Sequence, residues 1–532
     1  MPAFSYTKQF YWFAAVWLLA LFAASVYSPP SFISDPGLGF LDLINFWEGG
    51  RFQYHKTPSL EHLHQCVEER TTWWSPGQWF FVYLFMLPGL PLGVAISVTV
   101  LAAAWIGLGG WLKLYRRFQF SETVVLMAGL LILFSRYLFS SFQIYPGANI
   151  LEFAAAPWFL LLWFELEKKP LWLQAACLLP LLVGSYFIKS SMLIFWLAVI
   201  GSSVSLFQVK QIPWLRLFVL MMVFVAGKYC CDLLFTSGGA TPFSYPGQWL
   251  SLHGGSTTLL LQHLLFTIAA PFLASIGADD YIRYVFQKPG AVIFENGHPA
   301  MLLIYGAVLI IFLLLIRYFI IKRNLLDQRY CNLLVSVTGV FIAFFLYSYF
   351  SGKNINGYEE SRHMRLAGLV ILPLLLQWLY GFFKRAFVAL PVMMFGYAVL
   401  SSFSKVDRVK VLSTKYRVPL GEMNTAEDYQ LFKSAAAQSD LVYVIHADLK
   451  FDLDHCKTIY NQDDFTSLEV IQARPKVTIH HKTIVYLLPD RFAANGKREA
   501  ILANFVAGNK EKAPVVQVTK LTNWELIQVI YF

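Results

Sequence analysis

The sequence predicts a polytopic α-helical membrane protein of about eleven to thirteen transmembrane helices, carrying a small C-terminal α/β domain. Three observations predict it. Hydrophobic residues make up 57% of the 532 residues and charged residues only 14%, at a mean hydropathy of +0.53, which is more apolar surface than a soluble fold can hide. The apolar residues gather into long runs joined by short polar links. After residue 404 the chain changes in kind, to short alternating stretches with dispersed charge.

The first run, Phe10–Tyr27, is free of charge and rises about 27 Å as a helix, roughly one hydrocarbon core. It is too long for a cleaved signal peptide and lacks a small-residue cleavage site, so it reads as an uncleaved anchor. Further runs lie near 78–90, 92–112, 123–141, 150–166, 171–188, 190–207, 215–235, 257–276, 299–321, 330–350, 366–383 and 386–403. The 16 Trp and 27 Tyr suit interfacial belts. Polar chain interrupts the runs at 28–76, at 236–298 around the 257–276 stretch, and after 404.

Basic residues orient the spans. Arg317, Lys322, Arg323 and Arg329 fill one short loop and Lys384-Arg385 another, and the positive-inside rule makes both cytoplasmic. Lys8 places the N-terminus on the same side. The 28–76 loop, the 352–365 loop and residues 405–532 are then external, which demands an odd number of spans. Demoting 78–90 and 257–276 to half-buried or re-entrant segments leaves eleven and brings Lys113, Arg116, Arg117, Lys168 and Lys169 inside. The net charge of +10 is spread thinly, which suits contact with anionic membrane lipids and not nucleic acid.

In the C-terminal 405–532 region, 441–445, 477–479 and 483–488 read as strands, 498–506 as a helix, and 515–518 with 524–532 as a closing β-pair. Of the six cysteines, Cys177, Cys230, Cys231 and Cys331 sit in apolar segments as small hydrophobes. Cys66 and Cys456 fall in the two external regions and pair if those regions touch. The sequence holds no N-x-S/T sequon, which favours a bacterial envelope over a secretory lumen: an integral protein of the inner membrane with a periplasmic C-terminal domain. It holds no Walker loop, dinucleotide fingerprint, GxSxG or HExxH either, against a pump or a cytosolic nucleotide-sugar enzyme.

Polar groups cluster in four places. The first loop begins Ser34-Asp35-Pro36-Gly37-Leu38-Gly39-Phe40, continues through Asp42 and Glu48-Gly49-Gly50, and ends at Trp73-Trp74-Ser75-Pro76-Gly77-Gln78. Pro36 and Gly37 predict a fixed, non-helical shape after Asp35, and an Asp before Pro also caps turns. If 38–48 is a surface helix, Asp42 lies on its polar side. His55, Glu61, His62, His64, Glu68 and Glu69 crowd the remainder; His64/Glu68 and Glu61/His64 have helical spacing that permits a metal-ligand pair, while a solvated polar loop is the favoured reading of these residues. Glu360-Ser361-Arg362-His363-Met364-Arg365 precedes the run at 366–383, with Arg362 and Arg365 on one face of a helix N-terminus, suited to phosphate or to lipid headgroups. Lys189, between two apolar runs, is a costly cation that calls for a partner or a function; Arg136 and Lys228 raise the same question less sharply.

The first loop resembles that of the GT-C membrane glycosyltransferases, the class containing the protein O-mannosyltransferases and the bacterial aminoarabinose transferase. The late acid-x-Arg segment with Pro373 behind it, Lys189 at a helix break, and Tyr145-Pro146-Gly147 with Asn149 and Glu152 are similar to the family as well. The resemblance covers roughly residues 1–400. It implies transfer of a sugar from a polyprenyl-phosphate-linked donor to a hydroxyl of a lipid, glycan or protein acceptor on the external face. It implies Asp35 as catalytic base, with Asp42 as its rival, and Arg362, Arg365, Lys189 and His363 on the donor phosphate. Some members bind a divalent metal near the Asp, which makes His64 and Glu68 its ligands here. The aminoarabinose transferase carries an acid-Lys pair before its Pro where this chain has Trp74 and Ser75. The rival readings are a lipid-linked-oligosaccharide flippase or other transporter, which predicts internal symmetry that this chain lacks, and a glycan polymerase or ligase of another membrane fold.

Overall fold

The computed structural model describes residues 3–32, 34–59, 64–71, 75–145, 147–203, 214–236, 299–350, 365–383, 389–403, 411–420, 423, 425–444, 446–460, 483–489, 515–530. The stretch at 257–276, the Arg362-His363 pair, the strand at 477–479 and the helix at 498–506 lie outside them.

Along the chain, α1 (Ala3–Tyr27) leads through β1 (Ser31–Phe32) to α2 (Ser34–Trp47), the strands β2 (Tyr54–Pro58) and β3 (Cys66–Arg70), α3 (Gly77–Met86) and α4 (Leu92–Arg117). Then come α5 (Glu122–Phe134), α6 (Arg136–Phe139), β4 (Ile144–Tyr145), α7 (Ala148–Leu166), α8 (Leu171–Ile188), α9 (Met192–Ser202) and α10 (Trp214–Cys231). α11 (Pro299–Lys322), α12 (Gln328–Phe350), α13 (Arg365–Phe383) and α14 (Ala389–Phe403) complete the apolar part. Among the described residues, 6 helices are long and apolar enough to cross a membrane. The apolar runs that fall among the described residues thus become helices at the expected places, and the protein is a polytopic membrane protein.

The chain divides into two compact units. One comprises 1–19, 101–140 and 148–402; the other 20–100, 141–147 and 403–532. Residues 28–76, expected as a separate loop of the membrane domain, fall in the same unit as the C-terminal region.

Polar bonds gather one set of helix ends in the helical unit. Thr7 at the start of α1 donates to Glu122 (3.0 Å), and Arg116 at the end of α4 bonds Glu122 (2.7 Å) and the Tyr11 hydroxyl (3.2 Å). Arg117 pairs with Glu165 (2.6 Å), Ser203 donates to Glu167 (2.7 Å), and Arg216 donates to Gln174 (3.0 Å). α4 therefore returns to the end at which α1 begins. The ten-residue α3 is about 15 Å long, half the thickness of a hydrocarbon core. Small residues let these helices close up: a Cβ at Gly107 would lie 2.2 Å from the Phe153 ring, and one at Gly110 would lie 2.7 Å from Pro157.

In the second unit a five-stranded sheet has the order β6 (Thr458–Tyr460), β5 (Leu441–Val444), β7 (Thr483–Pro489), β9 (Trp524–Ile530), β8 (Val515–Lys520). β5 pairs in parallel with β6 and β7, and the β7–β9–β8 ladder is antiparallel. Its core takes Leu441, Val444, Ile484, Leu487, Trp524 and Ile527, with Phe432 from α15 (Ala426–Ala437). The sequence reading caught four of these elements and missed α15 and β6. α15 carries a legible start, since the Thr425 hydroxyl accepts the Asp428 amide at 3.1 Å.

Two expectations for the first loop are corrected. The chain after Ser34 is helical, not a fixed non-helical loop; Pro36 falls in the first turn of α2, where an amide has no helical partner anyway and proline costs nothing. The His64/Glu68 segment is not a helix. Cys66–Arg70 pairs antiparallel with Tyr54–Pro58, setting His55 opposite Glu69 and Lys56 opposite Glu68, the latter two being opposite charges that favour the hairpin.

Candidate active site

α2 carries both candidate carboxylates. Asp35 lies in its first turn. The glycines that follow allow close approach. A Cβ at Gly37 would lie 2.7 Å from Ala447 Cβ, and one at Gly39 would lie 2.3 Å from Gln78 Nε2. Phe40 stacks beneath Phe32 (4.6 Å) and near Tyr145 (5.5 Å), whose hydroxyl donates to the Gln78 carbonyl. The first turn of α2 is thus held from several sides.

Asp42, expected on the polar side of a surface helix, is only 1% exposed. One of its oxygens meets His55 Nδ1 at 3.1 Å and accepts the Thr71 hydroxyl at 2.9 Å. Burial pushes its carboxyl above the ordinary range, against the pull of His55 and Thr71. Thr71 and Asp42 share the same imidazole nitrogen, since Thr71 Oγ1 is 3.2 Å from Nδ1. That is not the arrangement of a catalytic triad, which uses the two nitrogens for different partners. Asp42 ties α2 to the hairpin.

The expected metal pair is not assembled. His64 is exposed in the turn before β3, and Glu68 is held by Arg51 (2.6 Å) and Asn45 (3.2 Å). Among the described residues, no group of three His, Cys, Asp or Glu side chains is placed to hold a metal ion. These residues do not fit the metal implied by the resemblance.

The helical unit holds the candidate cations. Lys189, at the break between α8 and α9, forms an ion pair with Glu152 of α7 at 2.5 Å; their side chains are 12% and 7% exposed. The Arg365 guanidinium lies over the Tyr137 ring, 3.5 Å from its centroid, a cation–π contact. Tyr137 in turn donates its hydroxyl to the Asn149 carbonyl, one turn before Glu152 on α7. Lys189 and Arg365, far apart in sequence, therefore converge on one stretch of α7. Arg365 opens α13, and the next eleven residues, Leu366 to Leu376, are buried. Lys228 pairs with Asp232 one turn on. Sequence reasoning noted Glu152 without linking it to Lys189, and it missed Tyr137, an ordinary aromatic among many.

No protein-family model and no curated protein matches the chain. Among solved structures it is similar to ArnT from Cupriavidus metallidurans bound to undecaprenyl phosphate, at 11% identity and TM-score 0.40, over 99% of this chain and 98% of that one. It is also similar to the same protein in the apo state, at 12% identity and TM-score 0.38, with the same coverage. At this level the likeness assigns no residue a role and no ligand to this chain.

Proposed function

We propose that this chain is a membrane glycosyltransferase that moves a sugar from a polyprenyl-phosphate-linked donor to an acceptor hydroxyl on the external face of the membrane. The observation that carries the reading is that Lys189 meets α7 directly, at Glu152, while Arg365 meets it through Tyr137. Ionisable groups kept in the membrane at several kcal/mol each are functional by default, and a phosphate monoester leaving group is an anion that such cations stabilise as it forms. Asp35 takes the proton from the acceptor hydroxyl. The hydroxyl oxygen attacks the anomeric carbon, the bond from that carbon to the phosphate oxygen breaks, and polyprenyl phosphate departs with the electron pair.

The external assignment has two supports. The basic helix ends gathered around Arg116, Arg117 and Arg216 belong on the cytoplasmic side by charge. The Cys66–Cys456 disulfide joins the first loop to the C-terminal domain, and such bonds persist in oxidising compartments.

Purified protein in nanodiscs, given a panel of radiolabelled polyprenyl-phosphate monosaccharides, tests the reading. It expects release of polyprenyl phosphate from at least one donor. Binding of undecaprenyl phosphate with no release from any donor, coupled to lipid movement across liposomes, would instead favour a flippase.

A further inference from the structure

The C-terminal domain sends one short segment onto the first loop. The helical turn Ala447–Lys450 and Phe451 behind it sit between β5 and β6, and three of their side chains reach separate parts of the loop. Ala447 abuts Gly37, so closely that a Cβ on Gly37 would come within 2.7 Å of the Ala447 Cβ. Phe451 meets Phe32 edge-on at 5.7 Å, and Phe32 lies on Phe40 of α2. Lys450, 1% exposed, donates from Nζ to the Lys56 carbonyl of β2 at 2.8 Å. Next to Lys56 is His55, which holds Asp42 of α2. Five residues beyond Phe451, Cys456 is bonded to Cys66 at the start of β3.

We propose that the segment Ala447–Phe451 is the positioning element for the first turn of α2, and that the C-terminal domain works by fixing Asp35. The proposal rests on the reading of Asp35 as the base. The contacts differ from incidental packing in two ways. Burying a lysine costs several kcal/mol unless the site holds it for a purpose, and here the apolar stem is spent to deliver one donor to a loop carbonyl. The Ala447–Gly37 contact, two residues from Asp35, sets where the turn can lie, because neither backbone can move closer. A misplacement of about 1 Å at a reacting group costs as much as a hundredfold in rate, so a rigid stop beside the base matters more than its contact area.

The full-length protein tests this with a size swap. Gly37→Ala adds a methyl group against Ala447. It is expected to speed amide exchange in Gly37–Asp42 about tenfold and to slow polyprenyl-phosphate release about tenfold, with undecaprenyl phosphate binding within about twofold of the parent. Gly37→Ala combined with Ala447→Gly restores room at the contact and is expected to recover both readouts. Lys450→Met keeps the apolar stem without the donor and is expected to act in the same direction as Gly37→Ala. Retention of the Cys66–Cys456 disulfide, read by gel shift under non-reducing conditions, reports that each variant has folded; should Lys450→Met fail that check, the Gly37/Ala447 swap decides alone. Unchanged exchange in Gly37→Ala overturns the proposal, as does loss of turnover that Ala447→Gly does not rescue. Faster exchange with full turnover overturns it too. If the parent releases polyprenyl phosphate from no donor, yet the swap alters and restores exchange, the segment still holds α2 and it is the glycosyltransferase reading that fails.

Discussion

Lys189 and Glu152 form an ion pair between the α8–α9 break and α7, with the ammonium 2.5 Å from the carboxylate and both side chains largely buried. Removing one member of such a pair leaves the other charged in an apolar surrounding. Lys189→Met is therefore expected to destabilise the helical unit by about 3–5 kcal/mol. Lys189→Met with Glu152→Gln removes both charges and should recover most of that loss. The double variant should still bind undecaprenyl phosphate weakly, because the cation is gone. Thermal unfolding and lipid binding on the same preparations separate the two effects. Arg365→Lys, which keeps charge without the planar fork, should weaken lipid binding less than Arg365→Ala does.

The Cys66–Cys456 disulfide makes a claim about compartment. Cysteines introduced at Ser59 and Thr519 in a Cys66→Ser, Cys456→Ser background should react with a membrane-impermeant maleimide in intact cells. Labelling only after permeabilisation at either site would put the first loop or the C-terminal domain in the cytoplasm, where the proposed donor chemistry has no place.

Lys450 predicts a pH dependence. Burial holds its amine down at about 7, from an ordinary 10.5, with Glu69 and Asp454 as the nearby acids pulling the other way. The neighbouring His455 is pushed down to about 4, chiefly by burial and then by Lys450. Between pH 7 and 10.5 the unfolded chain holds a proton on Lys450 that the folded chain sheds. Stability from this group therefore rises with pH across that window, and it is lost as pH falls towards 7. The slope approaches about 1.4 kcal/mol per pH unit. Unfolding midpoints of the parent relative to Lys450→Met should climb from pH 7.5 to 9.5. A flat difference would mean that Lys450 is hydrated in solution.

Much of this architecture was legible in the sequence, because length and hydropathy decide what can cross a bilayer. The runs at 10–27, 92–112, 150–166, 171–188, 215–235 and 366–383 all fall in helices long enough to span. Local signals were harder to weigh. Pro36-Gly37 reads as a breaker, yet proline is harmless in a first turn, and the glycines serve tertiary approach to Ala447 and Gln78. Glu68 and His64 fit a helix by spacing, but cross-strand pairing of Lys56 with Glu68 prevails. Asp42 looked like a surface acid because its partners, His55 and Thr71, lie 13 and 29 residues away. The link from Lys189 to Glu152 spans 37 residues and from Arg365 to Tyr137 far more, and no local pattern records such distances.

The most direct measurement is turnover of the labelled lipid-phosphate donor by Asp35→Asn beside Asp42→Asn. Asp35→Asn keeps the size and hydrogen bonding of the side chain and removes the proton acceptor, so release of polyprenyl phosphate should fall at least about a hundredfold while undecaprenyl phosphate binding stays within about twofold. Asp42→Asn, which weakens the tie to His55, should loosen the fold and retain measurable turnover. Near-normal turnover in Asp35→Asn, with loss in Asp42→Asn, would contradict the account and move the base to the buried acid.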